Sequence, residues 1–370
     1  MADTEPNWLR RIASGAVMVY GALVIGWGVA HALVGDGYWL IALVNSFAVY
    51  LFAPLPLMAL VAAVARRQGA WIALGAVALL FLGLFGGYLT PLSPIAHAEA
   101  DGPALTVMTY NVLYTSTDGH AIAATITGAG PDLVAFQELT PRLAEQLGQE
   151  IGALYPYRTP LHSACLAEVA VWSRYPLQFE SVDEDVTCRV CPVVVTLQRG
   201  PVRVVNVHAW PYTGIDRESV ERSFGWRQEQ IELILDAFAD QPEPLIVLGD
   251  LNSTPMHEVH RTLSARLADA FVEAGWGLGH TYPAAGGRAW GHPYPSRLVR
   301  IDHIFHSDAW RAEAAWVAAW DGSSDHLPVV ARLRLLDDGA AGGASFALPH
   351  RDGIMAREGD GLEHRQAVPD

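Results

Sequence analysis

The sequence contains no lysine and little positive charge of any kind. Its 24 basic residues are all arginines, against 39 acidic residues, for a net charge of −15. The excess of negative charge lies in the later part of the chain, because residues 1–97 carry a net charge of +1 and residues 98–370 carry −16. So acidic a segment has no overall attraction for nucleic acid or anionic lipid, although a local cluster or a bound divalent cation can reverse the field at one site.

Charge is also absent from three long apolar runs near the N-terminus. Residues 12–34, 38–65 and 70–90 contain no Asp, Glu, Lys or Arg. Asp36 lies between the first two runs. Each run exceeds the ~20 helical residues that a bilayer core requires. A cleavable signal peptide has one short apolar region, so three runs argue against that interpretation. We therefore predict a membrane segment with three transmembrane helices over residues 1–90.

The arginines around these runs predict an orientation. Arg10-Arg11 and Arg66-Arg67 flank the first run and the link from the second to the third, whereas residues 35–37 carry no basic residue. By the positive-inside rule the N-terminus is cytoplasmic, and everything after residue 90 is extracytoplasmic. Residues 91–103 contain three prolines and predict a linker that holds the following domain just off the membrane surface.

One stretch of the remaining chain combines a buried-strand pattern with two polar side chains. Residues 245–248 are apolar, and Gly249, Asp250 and Asn252 follow before a Ser-Thr-Pro turn. Alternation along a strand would point Asp250 and Asn252 the same way. Two interpretations remain open: an Asx turn that closes a buried strand, or a pair that orients water and contacts a phosphoryl oxygen.

Similar polar residues follow several other predicted strands. The strands outnumber the helices, which come singly between strand groups, and this pattern predicts an α+β layered sandwich of two sheets with helices outside. Any one polar residue at a strand end is more often structural than catalytic. Eight of them predict a single crevice: Asn111, Glu138, His208, Asp250, Asn252, Asp302, Asp325 and His326.

These residues occur in an ordered set of short motifs. The set comprises Tyr110-Asn111, Gln137-Glu138, Asn206-Val207-His208, Gly249 to Asn252, Arg300 to Asp302 and Ser324 to His326. The set resembles the endonuclease/exonuclease/phosphatase superfamily, which includes deoxyribonuclease I-like nucleases and neutral sphingomyelinases. The resemblance covers about residues 104–335 and implies a four-layer αββα sandwich. We accordingly predict a catalytic domain over 104–336 and, from composition, a disordered tail over 337–370.

The resemblance also implies a role for each site residue. It makes Glu138 the principal ligand of Mg²⁺ or Mn²⁺, with Asn111 and Asp325 beside it as metal or phosphate contacts. Oxygen ligands of this kind suit Mg²⁺, and the histidines lack a zinc-ligand spacing. The remaining implied roles are water activation by Asp250, phosphoryl contacts by Asn252 and His208, and stabilisation of developing charge by His326 paired with Asp302. His303 would be structural.

The three N-terminal runs resemble a bacterial membrane-anchored branch that includes glycopeptide-resistance proteins of the VanJ type, whose proposed substrates are polyprenyl pyrophosphates. This architecture favours a metal-dependent phosphoesterase acting on a lipid-linked phosphoester, because a tether raises the local concentration of the site near lipid headgroups. An envelope-facing nuclease and a non-catalytic membrane interaction module are the alternatives. Aromatic residues at 210–214 and 224–226 either dip into the membrane interface or pack on the domain.

The three cysteines leave the pairing open. Cys188 and Cys191 have a CxxC spacing without the βαβ pattern of a thioredoxin-like redox site. An extracytoplasmic domain permits a disulfide, and Cys165 with Cys188 or Cys191 would link two neighbouring segments. We predict a structural disulfide rather than a redox site.

Overall fold

The structure is a computed structural model that describes residues 7–90, 104–161, 168–180, 189–238, 241–289, 291–320 and 322–336. The predicted linker, the predicted tail, Cys165 and Cys188 lie outside these residues. Residues 7–90, the described part of the predicted membrane segment, contain four α-helices: α1 (Asn7–Val34), α2 (Trp39–Ser46), α3 (Leu55–Ala65) and α4 (Gln68–Leu89). We keep the name membrane segment for these residues. Two 3₁₀ turns, Gly35–Gly37 and Ala48–Phe52, flank α2.

Among the described residues, three helical stretches are long and apolar enough by length and composition to cross a membrane: Trp8–Gly37, Ala48–Ala65 and Gln68–Leu89. The second is shorter than the predicted run over 38–65. Pro54 and Pro56 start a new helix at Leu55, since proline is tolerated in a first helical turn and not in a helix interior. The residues before this break form the 3₁₀ turn Ala48–Phe52, which belongs to the second stretch, and α2, a separate short helix that ends at Ser46 before the stretch begins.

The rest of the described chain contains two six-stranded sheets. The first sheet has the order β13-β14-β1-β2-β4-β3, and the second has the order β5-β6-β7-β8-β12-β9. Strands β10 (Gly287–Ala289) and β11 (His292–Tyr294) form a separate hairpin. The strands of the first sheet are β1 (Ala104–Asn111), β2 (Leu133–Leu139), β3 (Tyr157–Arg158), β4 (Glu168–Ser173), β13 (Trp310–Val317) and β14 (Val329–Leu335). Those of the second are β5 (Leu177–Phe179), β6 (Val190–Leu197), β7 (Gly200–His208), β8 (Leu245–Asp250), β9 (Ala268–Asp269) and β12 (Asp302–His306).

Helices cover the outer face of each sheet. Helices α5 (Gly119–Ala129) and α6 (Pro141–Ile151) share a buried apolar cluster with the first sheet. Helices α7 (Arg217–Phe238) and α8 (Glu258–Ser264) do the same for the second sheet, and the short α9 (Ala270–Ala274) packs at one edge. The result is the predicted αββα sandwich. The sequence pattern predicts a helix over residues 141–151, and α6 has these bounds. It also predicts a helix near residues 256–268, where α8 covers only Glu258–Ser264.

The space between the sheets changes character from one end to the other. Alternation places Leu105, Val107, Ile246 and Leu248 in an apolar inter-sheet core, which also contains Cys191. Further along the same faces, Gln137 of the first sheet donates a hydrogen bond from Nε2 to Asn206 Oδ1 of the second sheet, at 2.6 Å. Beyond this polar layer lie the predicted site residues, so strand alternation delivers them to one end of the sandwich.

The sandwich contacts the membrane segment directly. Ala42 of α2 packs against Val220 and Phe224 of α7. Tyr50 Oη donates to Leu298 O at 2.8 Å, and Gly277 N donates to Tyr88 O at 2.8 Å. The contacts involve residues 35–50 and 86–89, which we call the domain-facing end of the membrane segment. The prediction that residues 91–103 hold the domain just off the membrane surface stays a prediction, because these residues lie outside the described part of the chain.

Candidate active site

A row of paired residues crosses the end of the second sheet. His208 on β7 is paired with Asp250 on β8, and Asp250 is paired with Asp302 on β12. Directly paired residues on neighbouring strands point to the same face. Leu248 and Ile304, two residues further along the same faces, lie in the inter-sheet core. The row therefore lies between the sheets, and its two carboxylates are each only 1% exposed.

Asp250 and Asn252 converge through a turn rather than through strand alternation. Strand β8 ends at Asp250, and Asn252 has a φ of +48°, which asparagine tolerates better than most residues. Its backbone N donates to Asp250 Oδ1 at 2.8 Å, and its Nδ2 lies 3.0 Å from Ala209 O and 3.4 Å from Asp250 Oδ2. The Asx turn and the predicted pair of polar side chains are thus the same feature.

Gly249 allows β8 to approach β7 closely just before this turn. Its φ is +149°, and a Cβ at this position would lie 1.8 Å from Val207 O. No side chain fits there without moving the backbone. Gly249 is therefore required for the close approach of β8 to β7, which positions Asp250 at the end of β8.

Glu138 reaches the crevice because β2 is irregular at its end. Regular alternation would place Gln137 on the inner face and Glu138 on the outer one. The register with β4 instead shifts between Phe136 and Leu139, and Glu138 has a φ of +59°. Such irregularities next to active sites re-aim side chains. Here the irregularity turns a carboxylate of the first sheet toward the second.

Asn111 links the carboxylates of the two sheets. Its Nδ2 lies 3.0 Å from Glu138 Oε1 and 3.1 Å from Asp250 Oδ2, while its Oδ1 accepts from Leu113 N at 3.0 Å. The amide thus presents its NH₂ group to both acids and orients them. Its role as a metal ligand stays a prediction.

The segment before β14 completes the crevice. His326 Nδ1 lies 3.0 Å from Asp302 Oδ2, and its Nε2 lies 3.7 Å from Asp250 Oδ2. Ser324 holds this segment in place, because its Oγ donates to Asn111 O at 2.6 Å and accepts from His326 N at 3.0 Å. All eight predicted site residues therefore come together in one crevice.

Burial and neighbouring charge shift the pKa values of the central groups. Burial raises the pKa of Asp250 to about 7, an effect that the His326 charge opposes. Burial alone would lower the pKa of His326, but the carboxylates of Asp302 and Asp250 raise it to about 10. Burial, together with the charges of Arg189 and His326, lowers the pKa of His208 to about 3. At neutral pH the crevice therefore holds one charged and one neutral imidazole.

The donor set fits a divalent cation of the Mg²⁺ or Mn²⁺ type. Asp325 Oδ1 is buried without a hydrogen-bond partner among the described residues. Burial raises the pKa of Asp325, and the nearby charge of Glu138 raises it further, so a cation would relieve both effects. A second arrangement is possible, because Asp250, Asp302 and His326 also offer mutually close donor atoms. We favour Glu138 and Asp325, since the raised pKa of His326 keeps protons on both of its ring nitrogens, which then offer no lone pair to a metal.

Another buried cluster of polar side chains lies on the opposite face of β12. His260 Nε2 lies 2.8 Å from Asp269 Oδ2, and Arg300 Nη2 donates to the same oxygen at 2.8 Å. His303 Nε2 lies 2.9 Å from Ser253 O. The Arg300 guanidinium supplies the positive charge that a cation would otherwise provide. The structural role of His303 stays a prediction.

Arg189 belongs to the crevice although the sequence motifs do not include it. Val190 is paired with Val207, so Arg189 lies opposite His208 and extends the row across the sheet. Its guanidinium stacks over the Trp210 ring at 3.9 Å, and its Nη1 is buried without a hydrogen-bond partner among the described residues. The pairing register is the signal that locates this residue, and the sequence alone did not specify that register.

We expect Arg189 to contact the anionic part of the substrate. A charge-assisted hydrogen bond contributes about 1.5–3 kcal/mol, so Arg189→Ala should lower kcat/KM about 10- to 100-fold, chiefly by raising KM. Steady-state kinetics measure this effect. Arg174→Ala is the matched control, because Arg174 also stacks on a ring, that of Tyr155 at 5.6 Å, but follows β4 at the opposite end. An unchanged KM in Arg189→Ala would contradict this role.

The aromatic residues at 210–214 and 224–226 pack partly on the domain and partly against α2 of the N-terminal segment. The rings of Trp210 and Trp226 lie 5.0 Å apart, and Phe224 is buried beside Ala42. Arg227, which is fully buried, donates from Nε to Trp210 O at 2.7 Å and from Nη1 to Asn252 O. Packing on the domain therefore holds for Trp210 and Trp226, whereas Tyr212 and Phe224 pack against α2 of the N-terminal segment.

Comparisons with known proteins agree with these observations. The sequence matches the profile of the endonuclease/exonuclease/phosphatase family over residues 108–326, which contain every predicted site residue. No curated protein matches the sequence.

Several solved structures are similar to the chain. An endonuclease/exonuclease/phosphatase from Beutenbergia cavernae DSM 12333 is 23% identical, with 63% of this chain and 72% of that chain covered and a TM-score of 0.44. Sphingomyelinase C from Streptomyces griseocarneus is 22% identical, with 62% and 99% covered and a TM-score of 0.45. Truncated Caenorhabditis elegans TDP2 is 17% identical, with 62% and 98% covered and a TM-score of 0.48.

Proposed function

Because the chain belongs to the endonuclease/exonuclease/phosphatase family, whose members hydrolyse phosphoester bonds, we propose that it is a membrane-anchored phosphoesterase. We propose Mg²⁺ or Mn²⁺ as its cofactor and a lipid-linked phosphate or pyrophosphate, at the outer face of the cytoplasmic membrane, as its substrate. The N-terminus would be cytoplasmic and the catalytic domain extracytoplasmic.

This proposal rests on one observation: the end of the sandwich that contacts the membrane segment is the end with the crevice. The loops at the crevice end are the ones that contact it. Tyr212, after β7, lies with its Oη 2.9 Å from Ser46 Oγ. Leu298, before β12, accepts from Tyr50, and Gly277 donates to Tyr88. A crevice at this end supports a substrate whose phosphate lies at the level of lipid headgroups.

Side chains that flank this end are apolar and exposed. Trp276, next to the contact at Tyr88, is 78% exposed, and Ile215 is 65% exposed. Tryptophan is enriched where a membrane meets water, because one part of the ring is apolar and another is polar. These two side chains support the proposed position of the crevice at the membrane surface.

The chain's own residues would act on the phosphoester as follows. Asp250, buried and fixed by Asn111 and Asn252, would orient the attacking water and accept its proton. The Asn252 amide and the neutral His208 would donate hydrogen bonds to phosphoryl oxygens. The charged His326, held by Asp302, would stabilise the negative charge that develops during in-line displacement. A cation held by Glu138 and Asp325 would supply neutralisation of phosphoryl charge.

The proposal is tested by comparing the hydrolysis of a pyrophosphate group on a lipid in a bilayer with its hydrolysis on a molecule in solution. Full-length protein in vesicles with Mg²⁺ is given a long-chain polyprenyl pyrophosphate in the bilayer, farnesyl pyrophosphate in solution, or supercoiled plasmid. We expect phosphate release from the bilayer substrate to be at least about tenfold more efficient than from the soluble one, because both reactants share the surface.

Other outcomes point elsewhere. Plasmid nicking without phosphate release would favour the nuclease, and equal efficiency on both pyrophosphates would remove the lipid preference. No reaction with any substrate, together with no Mn²⁺ binding, would favour a non-catalytic module. Trp276→Ala should reduce only the reaction in the bilayer. Its control is Leu154→Ala. Leu154 follows α6 at the opposite end of the sandwich and is 46% exposed.

A further inference from the structure

The turn that carries Asn252 is held in part by the membrane segment. We call residues 251–257 the Asn252 turn. Thr254 Oγ1 donates to Asn45 O at 3.1 Å, and the next helix begins with Glu258 N donating to Asp36 Oδ2 at 2.6 Å. The catalytic domain itself holds the earlier part of the turn through Arg227 and His303. The later part is therefore held by Asp36 and Asn45.

His257 provides a third contact to the membrane segment. Its Nδ1 accepts from Thr254 N at 2.9 Å, so the ring proton lies on Nε2. Nε2 lies 3.2 Å from Ala42 O and donates to it. Burial lowers the pKa of His257 to about 4, so this neutral tautomer persists at neutral pH. The histidine thus joins the backbone of the Asn252 turn to the backbone of α2.

The contacting groups of the membrane segment are themselves fixed. Asn45 Nδ2 donates to Asp36 Oδ1 at 2.9 Å, and Trp27 Nε1 donates to Asn45 Oδ1 at 3.1 Å. A continuous series of hydrogen bonds therefore runs from Trp27 in α1 through Asn45 and Asp36 to Glu258. Asn45 is only 1% exposed, so these bonds form away from water and hold their geometry firmly.

We propose that the membrane segment is a working part of the active site and not only its anchor: Asp36 and Asn45 are positioning residues that set the Asn252 turn and, through it, Asp250. The inference rests on the proposed function only in requiring a hydrolysed substrate for its kinetic test. A displacement of about 1 Å in a catalytic group can lower a rate about 100-fold. The site is then complete only while the domain stays docked on α2.

An exchange of two side chains tests this arrangement. Asn45→Asp places a second carboxylate against Asp36, and we expect kcat to fall about 10- to 100-fold with KM within about twofold of wild type. Adding Asp36→Asn should restore kcat. The new amide at position 36 then donates to the new carboxylate at position 45 and accepts from Glu258 N, while that carboxylate accepts from Trp27. A double variant as slow as the single one would overturn the proposal.

Two further variants separate positioning from loss of fold. Thr254→Val keeps the shape of the side chain but removes its bond to Asn45 O, and we expect kcat to fall about three- to tenfold at an unchanged melting temperature. Tyr50→Phe removes a domain contact of similar length at Leu298, away from the Asn252 turn, and should leave kcat within about twofold. Wild-type kcat in Thr254→Val would overturn the proposal.

Hydrogen exchange of residues 251–258 supplies a readout that needs no substrate. We expect Asn45→Asp to speed exchange there and the double variant to restore slow exchange. Unchanged exchange in the single variant would show that the membrane segment does not hold the turn. If wild type hydrolyses nothing while exchange behaves as expected, the proposed function fails and the structural inference stands.

Discussion

Replacing Asp250 by asparagine should lower kcat by a factor of about 10³ without unfolding the protein. A positioned general base contributes about 10²–10⁴ to a rate, and an amide of the same size cannot accept the proton of the attacking water. Asp250 is only 1% exposed and accepts from both Asn111 and Asn252. An amide at position 250 keeps a carbonyl oxygen for one of these donors. We therefore expect the loss to appear in kcat far more than in the melting temperature.

The matched control is Asp132→Asn. Asp132 Oδ2 accepts from Thr106 N at 2.9 Å, just before β2 and hence at the end of the sandwich opposite the crevice. This variant also removes a carboxylate that accepts a backbone bond, and its kcat should stay within about twofold of wild type. Initial rates at saturating Mg²⁺ measure both variants. A kcat for Asp250→Asn within tenfold of wild type would exclude Asp250 as the group that activates water.

The sandwich could be predicted from the sequence because its elements are strongly patterned. Continuous apolar runs such as residues 245–248 fit strands buried on both faces, and helix α6 is bounded by Pro141 at its start and follows a threonine that caps it. The crevice followed from the same pattern, since polar residues after several buried strands must meet where those strands end. These are local signals, and the structure agrees with them.

The details that aim the site residues could not be predicted in this way. Alternation would point Glu138 outward, and only the shifted register of β2 against β4 turns it inward. The φ of +48° at Asn252 is likewise imposed by tertiary contacts, because Arg227 and Ala209 hold the turn from outside it. Arg189 is found only through its pairing opposite His208. Each of these depends on which strands become neighbours, which sequence periodicity does not encode.

The docking of the domain was missed for a related reason. Residues 38–65 are mostly apolar and carry no full charge, so hydropathy predicts one helix, yet α2 packs on α7. Asn45, Ser46 and Asp36 were the available signal. A polar side chain within an apolar run is costly in lipid, so each of these residues marks a place where the chain meets protein or water instead.

Replacing Glu138 by glutamine should weaken the binding of Mn²⁺ at least about 100-fold. Removing a residue that only hydrogen-bonds a metal ligand lowers metal affinity by about 10- to 100-fold, and removing a ligand itself should cost at least as much. Asn111 Nδ2 and Tyr114 N each donate to a different carboxylate oxygen of Glu138. Glutamine keeps the size of the side chain, and its single carbonyl oxygen can still accept from one of these donors. The change therefore removes charge while most of the local geometry remains. Titration of the metal-free protein with Mn²⁺, followed by calorimetry, measures the affinity.

Two companion variants decide which carboxylates hold the cation. Glu145→Gln, at an exposed position of α6, removes an acidic charge seven residues away and should leave the affinity within about twofold. Asp302→Asn tests the other arrangement, in which Asp250, Asp302 and His326 supply the ligands. If Asp302→Asn weakens Mn²⁺ binding more than Glu138→Gln does, the cation lies on the second sheet and Glu138 instead orients Asn111. If Glu138→Gln has the larger effect, the irregularity of β2 that turns Glu138 inward is what creates the metal site.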